Sequence, residues 1–237
     1  MKDSYCGDIN DYYKYGLIRG LTNSGKLSCS ICWMLTPDDG NLEGGKLDYL
    51  PNPTRWSGFD EELFSALREM VVDEQKRGVR YVRERNLISS ASYFEEFLTD
   101  DQQQREQYME RFMNLSPNAD LLFFDPDNGM EVASVPPGHK GSSKYLYWDE
   151  IRPILPESLS ILVYQHFPRV ERQGFIDQLA DRFLMETGYS HVLSFRTTNV
   201  VFFLLVAQRY LSFLEGRASA IKTKWREQFK VETHSDV

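Results

Sequence analysis

Three cysteines among 237 residues are too few for a disulfide framework. Cys29 and Cys32 stand three apart in "CSIC", within an apolar run that reads as a strand. That spacing points them to opposite faces, which excludes a redox pair or a zinc knuckle and predicts reduced, buried thiols. Basic residues are outnumbered, 27 Lys and Arg against 35 Asp and Glu, for a net charge of −8. A uniformly basic nucleic-acid coat is thereby excluded, though a local basic groove is not. The longest apolar run, "VVFFLLVA" at residues 200–207, falls far short of the roughly 20 residues that span a membrane. The opening "MKDSYCGDIND" has no apolar core of the signal-peptide kind. These absences predict a cytoplasmic setting without a membrane partner. There is no internal repeat and no low-complexity tract.

What is present is alternation. The segment "INDYYKYGLIRGL" (9–21) reads as a short aromatic-rich helix whose three tyrosines cannot share one face, so at least one is expected to be exposed. "KLSCSICWML" (26–35) reads as a buried strand, and residues 37–58 as a loop rich in Gly and Pro. Phe59, Leu63, Ala66, Leu67, Met70 and Val71 form a helical stripe. Residues 78–88 ("GVRYVRERNLI") read as a strand and 100–115 as a polar, exposed helix. The run at 119–124 is apolar without alternation, the signature of a strand covered on both faces. A partly helical stretch at 144–155 precedes another buried strand at 158–167. Phe175, Ile176, Leu179, Ala180, Phe183 and Leu184 then mark an amphipathic helix. "HVLSFRT" and "VVFFLLVA" form a hairpin through a tight link at Thr197, Thr198 and Asn199. A last helix carries Ile221, Trp225 and Phe229 on one face. Strands alternating with helices predict an α/β fold: a doubly wound, Rossmann-like, mostly parallel sheet ending in an antiparallel hairpin. One domain over 1–237 is expected, with an N-terminal helix and an inserted helical segment around 90–117.

In such sheets ligands sit beyond the carboxyl ends of the strands. Three predicted strand ends are polar: "TPDDGN" with Asp38, Asp39 and Gly40; "DPDNGME" with Asp125, Asp127 and Glu131; and "YQHFPR" with Gln165, His166 and Arg169. Asp125 is the first polar residue after a buried run, which marks it as functional. Asp127 and Asn128-Gly129 also fit a turn. Carboxylates from two adjacent strand ends repel unless a proton, a cation or a basic group stands between them. Asp38 and Asp125 are expected on one rim. Arg169 and Arg196 are candidates to pair with the acidic residues or hold a phosphate.

The order of these motifs resembles class I S-adenosylmethionine-dependent methyltransferases, and distantly the bacterial enzymes that methylate adenine N6 in large-subunit ribosomal RNA. "GDINDYYKY" (7–15) is similar to that family's opening helix G-N-x-A-D-x-x-K-H, with Lys14 at the lysine. "FFDPDN" (123–128) stands where the family has a strand ending in D-P-P-Y, "YQHFPR" where its next strand ends, and residues 191–207 at its closing hairpin. The resemblance implies a methyl transfer to nucleic acid. Asp125, with Asp127 and His166, would form the catalytic set, and Lys14, Asp38 and Gly40 would hold S-adenosylmethionine. The chain departs from the pattern where Asp38 and Asp39 replace cofactor-loop glycines, and where Asp127 and Asn128 replace the second proline and the stacking aromatic. Stacking would then fall to Tyr145, Tyr147 or Trp148.

Two other readings fit the same residues. Asp38, Asp125, Asp127 and Glu131 are oxygen ligands of the type that binds Mg²⁺ or Mn²⁺ in a nuclease or phosphoesterase, with Lys144, His166 or Arg169 assisting the leaving group. A degenerate site on a binding or assembly protein, with a protein partner or a second copy, is the third.

Overall fold

The computed structural model describes residues 1–37, 45–154 and 158–235. Asp8 starts the first helix, α1 (Ile9–Thr22), by accepting hydrogen bonds from the amides of Asn10 and Asp11; Asn23, in the left-handed conformation, ends it. Then follow β1 (Cys29–Cys32), α2 (Pro53–Trp56), α3 (Glu61–Arg68, continued by a π turn to Asp73), α4 (Val79–Glu84), β2 (Ala91–Phe94), α5 (Gln102–Leu115) and β3 (Leu121–Phe124). After these come β4 (Gly129–Met130), β5 (Tyr145–Leu146), α6 (Trp148–Ile151), β6 (Ser160–His166), α7 (Arg172–Thr187), β7 (His191–Arg196), β8 (Val200–Leu205), α8 (Leu211–Lys224) and β9 (Lys230–Ser235).

The fold is α/β. Seven strands form one mixed sheet in the order β2-β1-β3-β6-β8-β7-β9, and β4 pairs with β5 as a separate parallel ribbon. Neighbours β2, β1, β3 and β6 are parallel, as expected for the runs at 121–124 and 161–164; of the run at 31–35 only Ile31 and Cys32 lie in β1, which starts earlier at Cys29. The C-terminal hairpin is antiparallel: β8 lies between β6 and β7, and β9 pairs antiparallel with β7. The four apolar residues of β3 divide between the two faces. Leu121 and Phe123 join the core under α1, α3 and α8, while Leu122 and Phe124 join the core under α5, α6 and α7. Burying each is worth about 1.5–3 kcal/mol, which anchors the strand end that carries Asp125. Cys29 and Cys32 likewise fall on opposite faces, as buried free thiols.

Four expectations need correction. Residues 78–88 contain the helix α4 rather than a strand, because Val79 and Val82, three apart, are its buried residues. The neighbouring strand is β2, whose first three residues are only half-buried and so gave little apolar signal. Helix α5 is not exposed all round: Arg105, Tyr108, Met109 and Phe112 form a buried stripe. The last helix stops at Lys224, so Phe229 packs from beyond it and the chain continues into β9. None of the three tyrosines of α1 is exposed. Tyr15 meets Trp33 on the sheet, Tyr12 stacks on Tyr49, and Tyr13 contacts Trp56 and Phe229, so neighbours surround this helix.

Candidate active site

Strand β1 has β2 on one side and β3 on the other, so the chain's path reverses between β1 and β3. A doubly wound sheet opens a crevice at such a point, beyond the carboxyl ends of its strands. A cleft of about 610 Å³ lies next to it, beyond the carboxyl ends of the neighbouring parallel strands β3 and β6. Its walls include Asp8, Asn10, Asp11 and Lys14 from the start of α1, the turn from Asp125 to Asn128, Tyr164 and His166 from β6, and Met1, Lys46 and Lys144.

At its floor is a buried charge network. Lys14 Nζ stands 2.7 Å from Asp125 Oδ2 and 2.7 Å from Asp11 Oδ1, and 4.9 Å from the centre of the Tyr164 ring. Asp11 Oδ2 accepts from the Gly7 amide and the Tyr15 hydroxyl. Burial alone would lower the Lys14 pKa, but Asp11 and Asp125 outweigh it and hold the ammonium above the ordinary lysine value. Asp125 is 1% exposed, and burial pushes its carboxyl up to about 6 against the pull of Lys14. Burial and the nearby Asp11 push the Asp8 carboxyl up to about 7. For Asp127 burial is overcome by the Met1 amino group, 2.6 Å away, and by the Thr36 hydroxyl at 3.1 Å, so its pKa is lowered.

The turn after β3 is clamped from β6. Gln165 Oε1 accepts from the Met130 amide and its Nε2 donates to the Asn128 carbonyl, which also accepts from the His166 amide. Gly129 between them has φ +114°, a conformation that favours glycine. His166 Nε2 lies 2.9 Å from the Tyr164 hydroxyl.

The structure therefore brings Lys14, Asp125, Asp127 and His166 to one cleft, with Asp8 beside them. Lys14 is taken up by two carboxylates, so its contact is with Asp125 rather than a ligand. Asp38 and Gly40, and with them the shared rim expected for Asp38 and Asp125, lie outside the described residues. Glu131 points elsewhere: it accepts from the Trp148 amide, lies 3.9 Å from Arg182, and lines a second cavity of about 490 Å³ that shares Asn128 and His166 with the first. Tyr145 lines that second cavity, while Tyr147 and Trp148 are buried. Arg169 is exposed, and Arg196 stands 5.9 Å from the Phe167 ring. Among the described residues, no three His, Cys, Asp or Glu side chains are grouped to hold a metal ion.

Sequence reasoning missed Asn10, Asp11 and Glu95. The first two had a signal, since positions three and four before Lys14 share its helix face. Glu95 directly follows β2, and its Oε1 is buried without a hydrogen-bond partner. In doubly wound nucleotide-binding sheets an acidic residue follows the second strand of the unit and accepts from a ribose hydroxyl. Comparison with protein-family models, curated proteins and solved structures finds no match to this chain.

Proposed function

We propose that this protein is a nucleic-acid-modifying enzyme, an S-adenosylmethionine-dependent methyltransferase acting on an amine of a nucleobase. The observation that carries the reading is the position of Asp125-Pro126, at the end of a buried parallel strand, in the wall of the cleft beyond the carboxyl ends of β3 and β6. The antiparallel closing hairpin and the approach of Lys14 from the first helix agree with the resemblance. Glu95 holds Arg83 through Oε2 at 3.1 Å and leaves Oε1 unpartnered after the second strand of the sheet's first unit, the place of a ribose acceptor for a cofactor that reaches from there to the cleft.

When bound, that cofactor supplies a methyl group from its sulfonium and leaves as a thioether. The protein's part is orientation and proton handling. An oxygen of Asp125 accepts a hydrogen bond from the target amine and directs its lone pair inward. Lys14 keeps that oxygen in place. With a pKa near 6, Asp125 takes the proton that the methylated nitrogen sheds and returns it to water through the cleft. Lys46 and Lys144 line the same cleft and suit a phosphate backbone, giving a local cationic feature on an acidic chain.

Among the described residues no helix is long and apolar enough to cross a membrane. A cytoplasmic setting goes with the proposal and is supported by three buried free thiols. The test is calorimetry with S-adenosylhomocysteine and, separately, with Mn²⁺, followed by methyl-transfer assays on RNA and DNA. Micromolar binding of S-adenosylhomocysteine is expected. Binding of Mn²⁺ without binding of the nucleoside would overturn the reading in favour of a metal-dependent hydrolase.

A further inference from the structure

The first turn of α1 carries a feature that the proposed transfer does not use. Asn10 lines the cleft and is 6% exposed, and its Oδ1 is buried without a hydrogen-bond partner. An unpaired buried amide oxygen is costly, so such a group is retained where something else completes it. Asn10 also precedes Lys14 by one helical turn, on the face directed at Asp125. The family motif that this helix resembles has alanine at the corresponding place, which could not accept a hydrogen bond.

The chemistry of the missing group follows from its neighbours. A helix N-terminus ordinarily attracts anions through its free amides. Here the amides of Asn10 and Asp11 are already bonded to Asp8 Oδ1, at 2.8 and 3.1 Å, and the Gly7 amide to Asp11. Lys14 is saturated by Asp11 and Asp125. Lys46, whose carbonyl accepts from the Ile9 amide, also stands at this end. The turn itself offers acceptors, the amide oxygen of Asn10 and the carboxyl of Asp8, and these would hold an N–H donor.

We infer that the N-terminal turn of α1 is a ligand subsite in which Asn10 Oδ1, beside Asp8, accepts a hydrogen bond from an amine or ammonium group of the bound molecule. It rests on the methyltransferase reading for the identity of that molecule. Two sources have this chemistry there: the ammonium of the cofactor's amino-acid portion and the exocyclic amine of its nucleoside.

The experiment measures melting midpoints and calorimetric affinities for wild type, Asn10→Ala and Asn10→Leu, the last having nearly the shape of asparagine without its polar atoms. The probes are S-adenosylhomocysteine and 5′-methylthioadenosine, which lacks the amino-acid portion. The expected result is an unchanged or higher midpoint for the unliganded variants, with affinity for S-adenosylhomocysteine reduced tenfold or more. Loss for both probes assigns the donor to the nucleoside, and loss for S-adenosylhomocysteine alone assigns it to the ammonium. Lower midpoints in both variants, or unchanged affinity for both probes, would overturn the inference, since the amide would then serve the fold. If wild type binds neither probe, the methyltransferase reading fails on its own. The midpoints then decide the role of Asn10: a rise in both variants supports a ligand acceptor for another amine, and a fall in either removes it.

Discussion

Gly129 sits so close to Gln165 that a Cβ on the glycine would lie 2.1 Å from Gln165 Oε1. The glutamine has no room to retreat, being 5% exposed and bonded to Met130, Asn128 and its own neighbour His166. Gly129→Ala should therefore lower stability by roughly 2–4 kcal/mol, from the positive φ and the broken clamp together. Denaturant unfolding checks this. Adding Gln165→Ala should remove the steric part and leave the backbone part, so the double variant should be less unstable than the sum of the two singles.

Replacing Lys14 leaves two buried carboxylates without their cation. Lys14→Met is expected to cost on the order of 3–5 kcal/mol in urea unfolding. Asp125→Asn in the same background should recover part of the loss, because one of the two uncompensated charges is gone. No recovery would mean that Lys14 acts through Asp11 alone.

Asp125 and Asp8 set a pH dependence. Each has a folded-state pKa above that of an unfolded aspartate, about 3.9. The folded state therefore holds more protons, and the stability this confers is complete below pH 4 and lost as pH rises through about 6 for Asp125 and about 7 for Asp8. The melting midpoint should fall between about pH 4 and pH 7. Asp125→Asn should flatten the lower part of that fall and Asp8→Asn the upper part, asparagine being an equally good helix cap. A midpoint that rises across the same interval would contradict the assignment.

Asp125→Asn also separates chemistry from binding. An amide oxygen still accepts a hydrogen bond but cannot take up a proton. Methyl transfer should fall by about 100-fold or more, within the range for loss of a proton-transfer group. Affinity for S-adenosylhomocysteine should stay within about threefold of wild type. A parallel loss of both would place Asp125 in ligand binding.

The sheet was legible where strands are buried on both faces. Residues 31–35, 121–124 and 161–164 announce themselves by unbroken apolarity, and the polar residues that follow them mark the rim. Strand β2 was not legible, because it has a neighbour on one side only and is half-buried. Its place was given to a segment whose valines repeat every three residues. Asp125 could be chosen from its position alone. Its partnership with Lys14, 111 residues earlier, depends on how α1 docks, and no local pattern encodes docking. The tyrosines of α1 failed for the same reason: one helix face was expected to meet water, and residues from three distant segments cover it.

Those segments bear on how the cleft is made during synthesis. Helix α1 lies against α8, where Trp225 is close enough to Gly16 that a Cβ there would sit 2.4 Å from the indole, and the Tyr13 hydroxyl donates to Gln228. The carboxyl, ammonium and amide groups at the start of α1 are thus held from the far end of the chain. A ribosome that has released β6 has made every described wall of the cleft but not the support of its first helix. Ligand affinity should therefore arrive late and abruptly, after residue 229 leaves the exit tunnel, so that an incomplete chain carries the whole set of site residues and no working site.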